Sequence, residues 1–254
     1  MIFMNKIFLK ETILVLVLFI INSISYAHSI QGNWYIGENI GVAFPKIIDN
    51  HFVATGIGWP DDQYSNHNID SAAFFSLLGG YQWSTQNNWI PFFSLGIRYS
   101  YVTPSTVNGT ILQYSLPEFE NYNFQYKIQR QTYLGMIKAN IVRYYNVMPF
   151  LTVGLGWSTN KVSHYFDTPL LGITPRISPA FQNHTNSHFS YILGAGIDYI
   201  VKNNLWLGLE YHYGDFGQAQ TGFGILTYSN EYLKTKLTGN TIALNINYIF
   251  NYLV

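Results

Sequence analysis

The segment 90-IPFFSLGIRYSYV-102 decides the fold of this chain, because its residues alternate between two kinds. Residues of one parity are large and apolar, and those of the other are small or polar: Phe93, Leu95, Ile97, Tyr99 and Tyr101 against Ser94, Gly96, Arg98 and Ser100. A period of two is the signature of a β-strand with two different faces. The segment 148-MPFLTVGLGWS-158 repeats this pattern, including the order Pro-Phe-apolar-hydroxyl-apolar-Gly. We therefore predict two β-strands, each with one apolar face.

Six further segments alternate in the same way. They span residues 34–44, 73–83, 124–141, 189–199, 205–213 and 246–254. The predicted connections alternate in length, with short turns at 84–88, 143–147 and 202–204 and long loops at 45–70, 103–122, 160–187 and 214–236. Short periplasmic turns and long extracellular loops are typical of outer-membrane barrels. Eight strands with both termini on the periplasmic side fit this order, and ten strands are the alternative.

The composition supports a membrane location. Charged residues make up 10% of the chain and aromatic residues 18%, whereas soluble domains are roughly 25% charged. After the N-terminal region no apolar stretch is long enough for a spanning helix. A closed β-barrel is the other structure that satisfies every backbone group in lipid. The predicted fold class is thus all-β, a closed antiparallel transmembrane β-barrel over residues 28–254.

The N-terminus resembles a cleaved signal peptide in its order of regions. Lys6 and Lys10 precede the apolar run Ile13–Ile21, and Ser25 and Ala27 are small residues at the two positions that signal peptidase reads. We predict cleavage after Ala27, so that residues 1–27 are excluded from the fold. The alternative, an uncleaved anchor, is disfavoured because crossing a bilayer as a helix takes about 20 residues.

Several function classes are excluded by composition. The chain has no cysteine, and its 13 basic and 13 acidic residues give a formal charge of zero. Without a basic stripe we expect no nucleic-acid partner. His188 and Ser190 are close in sequence, but no carboxylate follows about a dozen residues later, where the lipid A deacylases carry one. We therefore expect no catalytic residues, no metal site and no cofactor.

A few charged residues fall inside predicted strands, on the face opposite to the apolar residues. Arg98, Lys138, Asp198 and Glu210 share this lumen parity. Because unpaired charges are costly in a dry interior, we predict a charge network in which Glu210 pairs with Arg98 or Lys138. Glu38 has the lipid-facing parity. A bulge near Gly37 would turn it into the lumen network, and a lipid-facing carboxylate is the alternative.

The last predicted strand keeps one parity to the final residue. Its outward residues are Ile246, Tyr248, Phe250, Tyr252 and Val254. Such an ending resembles the signal read by the barrel-assembly machinery. Proteins with this signal commonly finish on Phe, whereas this chain finishes on Val254. We expect this machinery to be one partner of the chain.

The strands together resemble the small outer-membrane barrels of the OmpA-like and opacity-protein type. The residues that carry the resemblance are 34-WYIG-37, 149-PFLTVGLG-156, 193-LGAGIDY-199, 205-LWLGLEY-211 and 245-NINY-248. It implies a Gram-negative outer membrane, with lipid and lipopolysaccharide around a barrel that we expect to be monomeric.

An interior of about eight strands is just filled by side chains, which disfavours an open porin. The loops are rich in Tyr, Asn, Ser, Thr and Gly, a composition suited to adaptable contacts. We therefore expect a non-enzymatic, surface-exposed structural or adhesin-like protein that meets a host or surface ligand through its loops. A narrow channel for ions or small solutes is the alternative.

Overall fold

The computed structural model describes residues 31–48, 51–56, 58–85, 87–175, 180–225 and 230–250. The predicted signal peptide, residues 1–27, lies outside them. The described chain forms ten strands: β1 (Gln31–Ile48), β2 (His51–Val53), β3 (Asp62–Ile69), β4 (Ala72–Ser84), β5 (Phe92–Leu112), β6 (Glu120–Asn140), β7 (Val147–Pro169), β8 (His184–Lys202), β9 (Leu205–Gln220) and β10 (Lys234–Ile249). Two short 3-10 turns, Gln113–Ser115 and Pro117–Phe119, join β5 to β6. Among the described residues, no helix is long and apolar enough to cross a membrane.

Eight of these strands close into a ring. The order is β1-β4-β5-β6-β7-β8-β9-β10, and β10 pairs with β1. All of these pairings are antiparallel. The prediction of an eight-stranded closed antiparallel barrel is therefore confirmed. A hairpin of β2 and β3 adds to it, since β3 pairs with the end of β5 that β4 does not reach.

The alternation seen in the sequence sets the two faces of the barrel wall. On β5, Leu95 and Ile97 are 50% and 70% exposed on the outside, whereas Arg98 and Ser100 are buried inside. Trp34, Tyr81 and Trp83 lie at the short-turn end of the apolar band, and their rings are in edge contact. Tyr99 and Tyr133 contact each other near its opposite end. Such aromatic girdles mark the two membrane–water interfaces, so the apolar band between them is the membrane-spanning part.

Beyond this band the strands continue, and the polarity of their faces reverses. On β6 the outward residues toward Asn140 are apolar, from Ala139 to Tyr133, and those toward Glu120 are polar. The inward residues of the part toward Glu120 are instead apolar and buried: Ile128, Tyr126, Phe124 and Tyr122. About ten residues of strand, rising ~3.3 Å each at a tilt of ~40°, project roughly 25 Å past the band.

This reversal accounts for the difference between the predicted loops and the observed strands. Much of the predicted loop 103–122 is strand, and β5 and β6 are joined by residues 113–119 alone. The predicted loops 45–70, 160–187 and 214–236 also contain strand residues. The prediction looked for apolar residues on the outward face, and above the membrane they face inward instead.

Candidate functional site in the barrel interior

The predicted lumen charges come from four strands of the ring. Arg98 lies on β5, Lys138 on β6, Asp198 on β8 and Glu210 on β9. Each has lipid-facing neighbours on both sides along its strand, so its own side chain points into the barrel. The structure brings the four charges together as two ion pairs.

Arg98 and Glu210 form a bidentate ion pair across the lumen. The Nη1 and Nη2 atoms of Arg98 donate to the two carboxylate oxygens of Glu210 at 2.7 and 2.8 Å. Both side chains are 3% exposed. His212 Nδ1 lies 3.1 Å from the same carboxylate, and the Asn39 amide donates to it at 3.5 Å. A planar guanidinium matched to a carboxylate in this way is among the stronger polar contacts in proteins.

The second pair joins Lys138 and Asp198 nearer to the short-turn end. Lys138 Nζ lies 2.7 Å from Asp198 Oδ2, and the Asn140 amide donates to the same oxygen at 2.7 Å. The ammonium also lies 3.9 Å from the ring centre of Phe150, a cation–π contact. Asp198 is fully buried, whereas the Lys138 side chain is 18% exposed. Glu210 therefore takes Arg98 as its partner and leaves Lys138 to Asp198.

Glu38 does not join this interior, and the expected bulge near Gly37 is not there. β1 keeps an unbroken register with both neighbours through this point, where Glu38 lies opposite Ile246 and Leu77. Its side chain is exposed on the outward face between Ile36 and Ile40. A regular strand cannot turn one residue inward without a shift in pairing, so the carboxylate faces lipid.

Above the ion pairs lies a buried arginine with a different environment. Arg130 is 4% exposed, and its guanidinium carbon lies 3.4 Å from the ring centre of Phe216. The side-chain amide of Asn160 fixes the backbone around Phe216 by donating to the carbonyls of Phe216 and Gln218. Burial lowers the pKa of Arg130 to about 9. Its charge is thus stabilised by an aromatic face, with no carboxylate in ion-pair contact within the described part of the chain.

The end of the interior away from the short turns is packed with aromatic side chains. Tyr64 contacts Phe124 and Phe181, with ring centres 5.4 and 5.9 Å apart, and Tyr165 contacts Phe181 at 5.1 Å. Phe181 belongs to the connection between β7 and β8, so a loop residue completes the core. We call the apolar group of Tyr64, Phe124, Tyr165 and Phe181 the aromatic plug.

Two cavities lie at opposite ends of the barrel. One of about 160 Å³ opens at the short-turn end, where Gln82, Phe92, Arg143 and Trp206 are among its lining residues. The other, of about 350 Å³, lies beside the aromatic plug. The two ion pairs and the plug stand between them.

The sequence pattern missed the partners that complete the interior. Asn39, Asn140 and His212 all have lumen parity, and His212 is two residues from Glu210 on the same face. That parity was the available signal for them. Of the predicted assembly signal, Ile246, Tyr248 and Phe250 are about half exposed on the outward face. Tyr252 and Val254 lie outside the described residues.

A closed ring of antiparallel strands, apolar outside and charged inside, defines a transmembrane β-barrel. The family model described as outer membrane protein beta-barrel domain matches residues 12–250, and the chain belongs to this family. It is thus a protein of the bacterial outer membrane. No curated protein matches the sequence.

The solved structures that are similar to this chain include three outer-membrane proteins. The outer membrane protein OprG from Pseudomonas aeruginosa is 14% identical, with 87% of this chain and 97% of that one covered and a TM-score of 0.48. The outer membrane protease OmpT from Escherichia coli is 11% identical, with 89% and 99% covered and a TM-score of 0.47. Neisserial surface protein A is 12% identical, with 87% and 99% covered and a TM-score of 0.41.

Proposed function

We propose that the chain is a non-enzymatic surface protein, structural or adhesin-like, whose barrel does not conduct solutes and whose outer end makes its functional contacts. The observation that carries this proposal is that the interior is closed at two levels, once by an ion pair and once by packed aromatic rings. The pair Arg98–Glu210 spans the lumen at 3% exposure, and the aromatic plug fills the barrel above it. Moving an ion past both would require breaking a buried ion pair and displacing packed rings.

Among the described residues, the His–carboxylate pair in the interior is not accessible to a substrate. His212 and Glu210 are a His–carboxylate pair, but both are 2–3% exposed. A general base must reach the proton of a bound substrate, and these two groups are sealed from either end. This burial supports a non-enzymatic role.

We infer that the short-turn end and both termini face the periplasm and that the extended end faces outward. The short turns and the projecting strands support this orientation, which is the usual one for outer-membrane barrels. The partners that follow are outer-membrane lipid and lipopolysaccharide around the apolar band, and the barrel-assembly machinery at Ile246, Tyr248 and Phe250. A host or surface ligand would bind the outer end of a monomer.

Single-channel recording tests the closed lumen. The chain from residue 28 onward is refolded into a planar bilayer beside the variant Glu210→Gln, and folding is checked by heat-modifiable migration on gels. We expect no steady openings from the folded wild-type protein. Steady openings whose size or lifetime changes in Glu210→Gln would contradict the proposal and support a narrow channel instead.

A further inference from the structure

The outer end carries a group of apolar side chains that are exposed together at one place. Trp59 is 63% exposed, Phe119 41% and Leu116 40%, and Leu171 is fully exposed. The ring centres of Trp59 and Tyr114 are 5.4 Å apart. Contiguous exposed apolar groups on a protein surface mark contact sites more often than scattered ones do. We call these five residues the tip surface.

Local contacts hold the tip surface in one piece. Tyr114 and Phe119 are in edge contact, with ring centres 6.1 Å apart. The backbone N–H of Tyr114 donates to Asp62 Oδ1 at 3.0 Å, which ties the β5–β6 connection to the segment that carries Trp59. The backbone N–H of Leu170 donates to the carbonyl of Asn121 at 2.8 Å and brings in the turn with Leu171. The surface therefore needs little ordering before it binds.

Among the described residues around the tip surface, those that carry a charge are acidic. Asp61, Glu118 and Glu120 are exposed within it, and they make no ion pair in the described part of the chain. The described segments 58–62, 113–121 and 169–175 contain no lysine or arginine, and Arg176 follows the last of them in the sequence. An apolar centre with exposed acidic residues at its rim fits a partner that is apolar in the middle and basic at the edges.

From these observations we propose that the tip surface binds a cationic amphipathic segment of a partner protein. The apolar side of the segment would cover Trp59, Phe119 and Leu171, and its lysines or arginines would meet the carboxylates of Glu118 and Glu120. An anionic membrane is the less suitable partner, because its phosphates would face these carboxylates. The inference rests on the proposed function, since it gives the outer end its kind of partner.

Binding of a designed peptide tests the charge and the apolar contact separately. The probe is a labelled helical peptide of about five turns, with leucine on one face and lysine on the other. The protein is held in nanodiscs of zwitterionic lipid, and empty nanodiscs give the background. We expect saturable binding below roughly 100 μM, lost when glutamine replaces every lysine of the peptide.

Variants of the protein locate the site. We expect Leu171→Ser with Trp59→Ser to abolish binding and Glu118→Gln with Glu120→Gln to weaken it roughly tenfold, since each exposed ion pair contributes up to ~1 kcal/mol. Phe223→Ser is the matched control, because Phe223 is 58% exposed but lies in the connection between β9 and β10. Equal binding by wild-type protein and both double variants would overturn the proposal.

A vesicle assay and the bilayer recording together distinguish a protein partner from a membrane, and the tip surface from the lumen. If the tip surface instead mediates adhesion of the nanodisc particles to phosphatidylglycerol vesicles, independently of Glu118 and Glu120, a membrane is the partner and the proposal is wrong. If the peptide does not bind while the barrel stays silent in the bilayer, this inference fails and the closed surface barrel stands. If the peptide binds and the barrel conducts, the closed-lumen proposal fails alone.

Discussion

The ion pair of Arg98 and Glu210 is expected to stabilise the barrel only as a pair. In Glu210→Met the guanidinium of Arg98 loses both of its carboxylate contacts, at 2.7 and 2.8 Å, while it remains 3% exposed. His212 and Asn39 lose the same acceptor. Breaking a buried pair by removing one partner costs about 3–5 kcal/mol. The free energy of unfolding of Glu210→Met should fall by that amount.

The double variant Arg98→Met/Glu210→Met tests the reasoning, because it removes both charges and leaves apolar side chains of similar length. Replacing a whole buried pair in this way is often close to neutral. We therefore expect the free energy of unfolding of the double variant to lie within about 1 kcal/mol of wild type, because no unpaired buried charge remains. The assay is urea unfolding in phospholipid vesicles, followed by tryptophan fluorescence. A double variant as unstable as the sum of the two single variants would refute the idea that the orphaned charge causes the loss.

Two further predictions concern charges for which the described part of the chain shows no carboxylate or ammonium partner. Arg130→Met should change the free energy of unfolding by less than about 1 kcal/mol, because the loss of the contact with Phe216 is offset by the removal of a buried charge; a loss as large as that of Arg98→Met would contradict this. Glu38→Leu should stabilise the barrel by about 1 kcal/mol in the same urea assay, since a carboxylate on the lipid face of the mid-membrane region is unfavourable; a destabilised variant would indicate an unrecognised contact of Glu38.

The sequence predicts the membrane-spanning part well, because lipid imposes a strict rule on it. Residues such as Leu95 and Ile97 must face out, and a charge such as Arg98 must then face in and find a partner. Which partner it finds depends on the vertical offset of distant strands, and no local pattern contains that offset. The choice of Arg98 rather than Lys138 by Glu210 therefore needed the structure.

The outer part of the barrel follows a different rule, and this is why it was predicted as loop. Above the membrane the solvent is water, so the same period of two places Tyr126 and Ile128 inside and Lys127 outside. The packing of Phe181 into the plug joins a loop to strands far away in sequence, which periodicity does not report. The prediction that Glu38 faces the interior is wrong for a related reason. It assumed that a carboxylate cannot face lipid, whereas such a position is only energetically unfavourable.

The change of polarity along β6 fixes the level of the membrane–water interface on the barrel wall. Below it the wall prefers hydrocarbon and above it the wall prefers water, and the crossover takes place within a few residues of Tyr133. A barrel that is marked in this way cannot slide up or down to suit a thicker or thinner bilayer. A mismatch must instead be met by tilting of the barrel or by local thickening or thinning of the surrounding lipid.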